Sequence, residues 1–548
     1  MKQIRNLIKK IKNIIKNDCS IKPTIALVSS PINFRGFYAN NKNMAVDDLG
    51  LGYLYTALKN KGYNVHLFDS IHTDYTAEEL TNIILKLNPS YVGFSEPAIT
   101  INQSLKISRD LKKKMPNLTV VYGDIHASLY NKEILQNEPY VDFVIVGDGD
   151  LSFPMLIDAL ENNQDISTIP GLTYRHNGET KQTPPNFELD LNTLPFPYRS
   201  SIVDSRRNDR LTFNIVISRG CLGHCTFCSI ASFANKHCKP SEGISRWRSR
   251  NAQSIFDEVK QLYEQGARKF WICDDNWIGV RETGLKNALE FSELIIKNKL
   301  DVCFSALIRP DSLAPTDKEA LLTMKEAGLT MLTIGLEASN KEQLKLFAKP
   351  YNIDTAKKVI QLVHECQIAV SIPYIMFFPY STFDMLRQNI QYLSESNLTQ
   401  HFDVYPIKLA GFSRMIIEKK LKKDNLVISP TTYSSVGQFR FQDKRIAVLH
   451  NLIFSIFNPE IDTAFLVRTT GMEASKQSKN ETNIFKIYMN SVKKIGKASA
   501  NLFNYCINLC ESNLKETEIN KLAHNASHKW TQVINQEKTF LNETFIKN

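Results

Sequence analysis

Short apolar runs alternate with helical patterns along the first part of the chain. The runs cover residues 24–30, 65–69, 91–96, 118–124 and 143–148. Between them, residues 49–61 and 101–115 carry apolar side chains at helical spacing. Apolar runs that alternate with helices in this way are typical of a parallel α/β sheet.

These elements predict a flavodoxin-like, doubly wound domain of the Rossmann type, because five strands and their helices fit within one such unit. Ligands of these folds lie outside the carboxyl ends of the strands. Here the strand ends are polar or glycine-rich, with Ser95, Glu96, Gly123, Asp124, His126, Gly147, Asp148 and Gly149. The pattern therefore predicts a ligand site at this edge of the sheet.

A second alternating series follows a proline-punctuated stretch that ends near Pro197. Its apolar runs cover residues 213–218, 269–274, 302–309, 331–337, 369–376 and 402–407. Six strand and helix pairs predict a partial (β/α)6 barrel of the TIM type, with its site at the carboxyl ends of the strands. Ahead of the prolines, Asn177-Gly178 predicts a two-residue hairpin turn.

The patterns divide the chain into four segments. We expect a basic amphipathic helix over residues 1–20, the doubly wound domain over 21–195 and the barrel over 200–420. Beyond them the strand rhythm fades, and residues 421–548 have helical periodicity without a catalytic motif.

The charge of the chain bears on its partners. The net charge is +11, and residues 2–16 combine lysine and arginine with isoleucine and leucine at helical spacing. Such a helix can lie on an anionic membrane surface, although packing on its own protein is commoner. No apolar run reaches the length of a membrane span, and the start is too charged for a cleaved signal peptide. We expect a cytoplasmic protein, with contact to a membrane surface through residues 2–16 as one alternative and no nucleic-acid partner.

Three closely spaced cysteines carry the clearest chemical signal. Residues 219–228 read Arg-Gly-Cys-Leu-Gly-His-Cys-Thr-Phe-Cys, so Cys221, Cys225 and Cys228 form a CxxxCxxC motif directly after the first barrel strand. Thiolates bind iron-sulfur clusters, and three of them leave one iron of a four-iron cluster open to a substrate. The alternatives are unconnected cysteines or a zinc site with a distant fourth ligand, but no second CxxC pair is present.

This motif, with Phe227 before its last cysteine, resembles the radical SAM superfamily. The similarity continues at residues 270–276 (Phe-Trp-Ile-Cys-Asp-Asp-Asn), 309–311 (Arg-Pro-Asp) and 335–339 (Gly-Leu-Glu-Ala-Ser). The resemblance implies a 4Fe-4S cluster whose open iron chelates S-adenosylmethionine (SAM), which is cleaved to methionine and a 5'-deoxyadenosyl radical. It also implies a reductant such as flavodoxin or ferredoxin.

The same resemblance suggests which residues hold SAM: Phe227, Asp275, Arg309 and Glu337. The three charged side chains have an alternative role as members of ion pairs at the barrel rim. No residue is assigned here as a catalytic acid, base or hydrogen donor.

Residues 21–195 resemble the B12-binding domain that precedes many radical SAM domains. The matching stretches are residues 48–54, 122–127 and 141–150. The resemblance implies that cobalamin is the ligand at the strand ends, and glycines there let the backbone approach a large planar corrin. The polar and glycine positions given above, from Ser95 to Gly149, are therefore the predicted cobalamin site.

His126 is expected to lie in a loop near the corrin without binding cobalt. Asp124 and His126 resemble part of the DxHxxG motif of other B12 proteins, but the spacing here follows the fourth strand and Leu129 occupies the final glycine position. The loop after the first strand contains no histidine. We therefore expect cobalamin to bind without a histidine from this motif on cobalt.

Most enzymes with both domains are methyltransferases that act on unreactive carbon or phosphorus, so methyl transfer to carbon is the leading hypothesis. The alternative is a radical cyclase, rearrangement or oxidation catalyst that uses the same cofactors. A tRNA methylthiotransferase would need three cysteines in the front domain, whereas only Cys19 precedes Cys221. A B12-dependent sensor would lack the CxxxCxxC motif. The substrate, whether small molecule, lipid or peptide, is not determined by the sequence.

Overall fold

The structure of the 548-residue chain is a computed structural model. It describes residues 22–31, 44–45, 47–70, 75–185, 189–201, 211–238, 245–411 and 414–546. The chain forms two compact units. Within the described residues, the first comprises 22–31, 48–185 and 194–200, and the second comprises the remainder. The amphipathic helix expected over residues 1–20 lies outside the described residues.

The first unit contains a seven-stranded sheet in the order β3-β1-β4-β5-β6-β7-β8. Its strands are β1 (Thr24–Ser29), β3 (Asn64–Asp69), β4 (Tyr91–Ser95), β5 (Thr119–Gly123), β6 (Phe143–Ile145), β7 (Leu172–His176) and β8 (Glu179–Gln182), while β2 (Met44–Ala45) belongs to the second unit. The first five are parallel and the last two form an antiparallel hairpin. This order confirms the doubly wound fold predicted from the sequence.

Six helices accompany this sheet. They are α1 (Leu49–Asn60), α2 (Ala77–Leu87), α3 (Ile101–Lys114), α4 (Asp124–Leu129), α5 (Asn131–Asn137) and α6 (Gly149–Glu161). Helix α6 packs so closely on β4 that a Cβ atom at Gly93 would lie 3.0 Å from the Phe153 ring. The predicted hairpin turn is confirmed, since Asn177 and Gly178 both have the positive φ angles of a type I′ turn.

The second unit contains a six-stranded parallel sheet in the order β15-β14-β13-β12-β9-β2. Besides β2, its strands are β9 (Thr212–Ile215), β12 (Lys269–Ile272), β13 (Cys303–Ile308), β14 (Leu329–Ile334) and β15 (Ala369–Ser371). A separate antiparallel pair is formed by β10 (Ser218–Gly220) and β11 (Trp247–Ser249). The accompanying helices are α7 (Ser229–His237), α8 (Ala252–Glu264), α9 (Arg281–Lys297), α10 (Lys318–Ala327), α11 (Lys341–Leu346), α12 (Ile353–Glu365) and α13 (Phe383–Glu395). The alternation of strand and helix confirms the predicted α/β barrel-type architecture.

The strand predicted over residues 402–407 is wrong. Phe402–Val404 forms a turn of 3₁₀ helix, and only an isolated bridge between Lys408 and Phe377 continues the sheet at this point. The Phe402 ring packs edge-on against Trp530 at 5.4 Å, and the Tyr405 ring packs on Phe503 at 5.0 Å. These distant aromatic contacts, which local sequence does not encode, bury the segment without a strand.

The C-terminal region is mostly helical, as predicted. Its elements are α14 (Glu418–Lys423), a short hairpin of β16 (Val427–Ser429) and β17 (Gln438–Phe439), α15 (Lys444–Phe457), α16 (Ile461–Gln477), α17 (Thr482–Glu511) and α18 (Glu516–Phe545). The boundary predicted at residue 420 stays a prediction, because the barrel and these helices belong to one compact unit. None of the helices in the described part of the chain combines the length and apolar character needed to cross a bilayer.

Candidate functional site

The chain that leads into the cysteine motif is fixed by the end of β12. The Asp274 carboxylate accepts hydrogen bonds from the backbone N–H groups of Ile217 and Ser218, both at 2.8 Å, and from the Ser218 hydroxyl at 2.7 Å. Asp274 is 5% exposed, and burial raises its pKa to about 7. Since the motif begins at Cys221, Asp274 sets where the cysteine loop leaves the sheet.

Two of the three cysteine sulfurs converge on Gly223. A Cβ atom at this position would lie 3.3 Å from the Cys221 sulfur, 3.5 Å from the Cys225 sulfur and 2.6 Å from Nη1 of Arg309. The Gly223 N–H also donates to the Cys221 sulfur at 3.3 Å. The loop can close around these groups only because residue 223 has no side chain.

The third cysteine immediately precedes helix α7. The backbone N–H groups of Ile230 and Ala231 lie near the Cys228 sulfur and act to lower its pKa. Burial raises the pKa of Cys228 to about 11, and these two N–H groups act in the opposite direction. N–H groups at a helix N-terminus stabilise a thiolate, which is the form that binds metal.

The donor set fits a multi-iron cluster. The cysteines in the described part of the chain are free thiols, and no group of three or more His, Cys, Asp or Glu among those residues could hold a single metal ion. An iron-sulfur cluster instead takes one thiolate on each of several irons. Cys221, Cys225 and Cys228 are thus suited to hold three irons of a 4Fe-4S cluster.

A cation lies beside these sulfurs. Arg309 directly follows β13, and its Nε and Nη2 donate to the Asp311 carboxylate at 2.9 and 2.7 Å. The charges of Asp311, Cys221 and Cys225 raise the pKa of Arg309. Its backbone N–H donates to the amide oxygen of fully buried Asn276 at 3.1 Å. Arg309 can therefore offset the negative charge of the cysteine loop, in addition to its rim ion pair.

A second charged pair lies at the end of β14. Glu337 has a left-handed φ of 63°, unusual for a non-glycine residue, and its backbone pairs with the chain at Pro373 and Ile375. Burial raises the pKa of its carboxyl, and Lys349, whose Nζ is 3.8 Å from Oε1, opposes this shift. Lys349 also acts electrostatically on Cys225. The sequence motifs did not reveal Lys349, because it lies in a loop beyond them.

The remaining two SAM-site predictions lie at the same loop. Exposed Asp275 is close enough to Cys228 to raise the pKa of that thiol. The Phe227 ring packs edge-on against Phe347 with 4.9 Å between ring centroids, so at least part of its role is to anchor the loop. The structure thus gathers the three cysteines with Asp275, Arg309 and Glu337, while their contacts with SAM stay a prediction.

The predicted cobalamin residues of the first unit lie at the carboxyl ends of neighbouring strands β4, β5 and β6. Ser95 ends β4, Gly123 ends β5, and Asp148 with Gly149 begins α6 directly after β6. The Gly147 N–H donates to the Ser128 hydroxyl at 3.2 Å. A Cβ atom at Gly123 would have no neighbour closer than 3.9 Å. Open space beside a glycine at this edge fits the approach of a large planar ligand.

Four carboxyl groups lie together at this edge, and we call Asp48, Asp69, Glu96 and Asp124 the carboxylate patch. Glu96 is completely buried, and neither carboxyl oxygen has a hydrogen-bond partner of normal geometry among the residues that the structure describes, although the Ser104 hydroxyl lies close enough to lower its pKa. Burial raises the pKa of Glu96 well above its usual value and that of half-buried Asp48 to about 7, and the charges of Asp69 and Asp124 add to the Asp48 shift. Glu96 fits an amide-bearing corrin, because a buried carboxyl group without a partner needs a donor or an acceptor from a ligand.

The sequence analysis did not identify two members of the carboxylate patch, Asp48 and Asp69. The backbone N–H of Asp48 donates to the Asp69 carboxylate at 2.9 Å. Asp69 ends β3 just as Ser95 ends β4, so its position at a strand terminus was a usable signal. Asp48 caps helix α1 by accepting from the Leu51 N–H at 3.0 Å, and a helix cap is commonly a purely structural residue.

His126 does not lie in a loop, contrary to the prediction. It is the third residue of α4 and is 3% exposed, with its ring 5.0 Å from that of Tyr130. The helix forms because Asp124, with a left-handed φ of 77°, turns the chain sharply after β5. Packing of His126 in the interior agrees with a site that uses no histidine from this motif on cobalt, which itself stays a prediction.

Comparison with known proteins gives matches in both units. Residues 215–393 match the radical SAM superfamily and residues 39–157 match the B12 binding domain. The chain is 25% identical over 354 residues to an uncharacterized methyltransferase of Pyrococcus horikoshii, which covers 64% of this chain and 73% of that protein. It is 25% identical over 328 residues to the anaerobic magnesium-protoporphyrin IX monomethyl ester cyclase of Synechocystis, which covers 58% of this chain and 62% of that protein.

Solved structures of cobalamin-dependent radical enzymes resemble nearly the whole chain. The cobalamin-dependent S-adenosylmethionine radical enzyme OxsB, solved with aqua-cobalamin and SAM bound, superposes with a TM-score of 0.69. The superposition covers 96% of this chain and 81% of that one at 16% sequence identity. At this identity the likeness shows a shared fold, which includes the C-terminal helices.

Proposed function

The chain belongs to the cobalamin-dependent radical SAM enzymes, and from this premise we propose that it transfers a methyl group to an unactivated carbon of its substrate. Its cofactors are a 4Fe-4S cluster, SAM and cobalamin. When bound, these groups supply radical chemistry and a methyl group, whereas the protein supplies binding, orientation and charge.

In this proposal the cysteine loop holds the cluster. Cys221, Cys225 and Cys228 bind three irons, and the N–H groups at the start of α7 stabilise the Cys228 thiolate. Arg309 balances negative charge beside the first two sulfurs. The absence of a side chain at Gly223 leaves the room that these groups need.

SAM is held by the groups that surround the cysteine loop. Asp275 and Glu337 offer carboxylates to its amino group, while Arg309 offers a guanidinium to its carboxylate, the pairing that such charges favour. Lys349 pairs with Glu337, with 3.8 Å between Nζ and Oε1. Support for this role is the location of these charges within electrostatic range of the cluster thiols.

The edge of the first sheet binds cobalamin. The backbone at Gly123 and Gly147 allows close approach, and Ser95, Asp124, Asp148 and Gly149 frame the same edge. The uncompensated carboxyl of Glu96 supplies the observation that favours a ligand here. Burial raises its pKa well above the usual value, which favours the protonated form, and that form can donate a hydrogen bond to an amide oxygen of the corrin as well as accept one.

Two observations together support methyl transfer. The chain has both cofactor domains, and it is similar to a methyltransferase over 64% of its length. Similarity to a cyclase over 58% of the chain supports the second candidate, a radical reaction without methyl transfer. In either case we expect a small-molecule, lipid or peptide substrate and a one-electron reductant.

The test is anaerobic reconstitution with iron, sulfide and cobalamin, followed by SAM carrying a deuterated methyl group and a strong reductant. Formation of both 5'-deoxyadenosine and S-adenosylhomocysteine, with label in an added acceptor, is expected for methyl transfer. Deoxyadenosine alone supports the cyclase candidate. A Cys225→Ala variant should form no deoxyadenosine, and a Cys238→Ala variant, altered outside the motif, should behave as the parent does. Neither product from a cluster-loaded parent would overturn both candidates.

A further inference from the structure

A basic cleft opens beside the cysteine loop. It has a volume of about 750 Å³. Its walls are Leu222, Gly223 and His224 of the loop, Arg309, and a segment from helix α11 to the start of α12. Every part of this wall belongs to the second unit. The cleft is therefore a feature of the barrel itself.

Positive charge dominates the cleft wall. Lys341, Lys345, Lys349 and Arg309 line it, against a single acidic lining residue, Asp354. Lys349 and Arg309 have acidic partners in Glu337 and Asp311. Lys341 and Lys345 are exposed, and neither forms an ion pair with any other residue that the structure describes. One turn of α11 thus presents two uncompensated cations to solvent.

The wall also includes an apolar contact point next to the cluster ligands. Leu222 is 38% exposed, and it directly follows Cys221. Gly223, the next lining residue, donates its N–H to the Cys221 sulfur at 3.3 Å. A molecule seated in the cleft would therefore lie beside the loop that carries the cluster ligands.

We propose that this basic cleft is the docking surface for an acidic electron-transfer protein of the flavodoxin or ferredoxin class. An exposed apolar residue with a rim of uncompensated charge matches the anatomy of a transient protein interface. Opposite charges accelerate encounter of such partners. In the step served, the donor protein loses one electron and the cluster gains it, with no bond formed or broken. The inference rests on the cluster of the proposed function and is independent of the methyl acceptor.

The test compares protein and chemical reductants on the same reconstituted enzyme. A Lys341→Glu/Lys345→Glu variant reverses the exposed charge of the cleft without altering a cluster ligand. The matched control is Lys521→Glu/Lys529→Glu, which changes two exposed lysines of helix α18 that do not line the cleft. Cluster reduction is followed by stopped-flow loss of visible absorbance, first with reduced flavodoxin and then with dithionite.

We expect the cleft variant to lose roughly tenfold in its rate constant with flavodoxin at low salt, within the range of electrostatic steering. Its rate with dithionite and that of the control with both reductants should match the parent. Equal rate constants for cluster reduction by flavodoxin in the cleft and control variants would overturn the proposal that the cleft is a docking surface. A parent that binds no reducible cluster would instead overturn the proposed function, so the two failures are distinguishable.

A second double variant removes the two charges without reversing them, and it therefore controls for misfolding caused by charge reversal. Lys341→Ala/Lys345→Ala should lower the flavodoxin rate in the same direction, with weaker dependence on salt than the parent shows. If only the glutamate pair were slow, and slow with dithionite as well, damage to the loop would be the cause and the proposal would fall.

Discussion

The carboxylate of Asp274 and the hydroxyl of Ser218 are joined by a hydrogen bond of 2.7 Å. This contact ties the end of β12 to the chain that enters the cysteine loop three residues before Cys221. The cluster site therefore depends on a buried carboxyl group that lies outside the cysteine motif.

Replacement of Asp274 should weaken both the fold and the site. Asp274→Ala leaves the N–H groups of Ile217 and Ser218 without their acceptor, and unsatisfied buried donors cost about 1–3 kcal/mol each. Chemical denaturation should show a lower free energy of unfolding, and iron content after reconstitution should fall. Asp275→Ala, at an exposed neighbour, should change the free energy of unfolding by less than about 0.5 kcal/mol.

A side chain at Gly223 should weaken retention of the cluster. In Gly223→Ala the new Cβ meets Nη1 of Arg309 at 2.6 Å and two cysteine sulfurs at 3.3 and 3.5 Å. Overpacking costs about 1–3 kcal/mol, so we expect roughly tenfold easier removal of iron by a chelator. Gly50→Ala, whose Cβ would meet only Asp48 at 3.3 Å, is the control and should leave iron retention unchanged.

The carboxylate patch predicts a pH dependence of stability. Burial raises the pKa of Glu96 well above the value in an unfolded chain. The folded state thus keeps a proton that the unfolded state loses. The contribution of Glu96 to stability is therefore greatest below the pKa of the unfolded chain, and it declines as the pH rises from there toward the pKa in the folded state. In Glu96→Gln we expect a smaller drop in Tm between about pH 5 and about pH 8.

The pH experiment needs a control, because Asp48 and Asp124 shift in the same direction as Glu96. Some decrease of Tm with rising pH should therefore persist in Glu96→Gln. Glu179→Gln, in the hairpin strand β8, should keep the same dependence of Tm on pH as the parent. An unchanged slope in Glu96→Gln would show that Glu96 is ionised in the folded protein.

His126 should not act as an axial ligand of cobalt. Its ring is buried against Tyr130 in helix α4. We expect the electron paramagnetic resonance spectrum of protein-bound cob(II)alamin to be the same in the parent and in His126→Ala, without splitting from a protein nitrogen. Loss of a nitrogen splitting in the variant would assign His126 to cobalt.

Local patterns were sufficient for most elements of both sheets. Apolar runs placed β1, β3, β4, β5 and β6 within a few residues, because buried parallel strands need continuous apolar side chains. The same reasoning failed at residues 402–407, where aromatic residues are buried by helices more than fifty positions away. It also missed β2, whose two residues pair with β9 far along the chain.

The sequence by itself determined the cysteine spacing, the order of strands and helices, and thereby the family, because spacing and periodicity are local properties. Only the tertiary structure decided which charges surround those cysteines. Lys349 reaches Glu337 and acts on Cys225, while Asp124 comes near both buried Glu96 and Asp48. Parallel strands bring their carboxyl ends to one edge whatever their separation along the chain. Charges at these ends therefore become neighbours only when the sheets form.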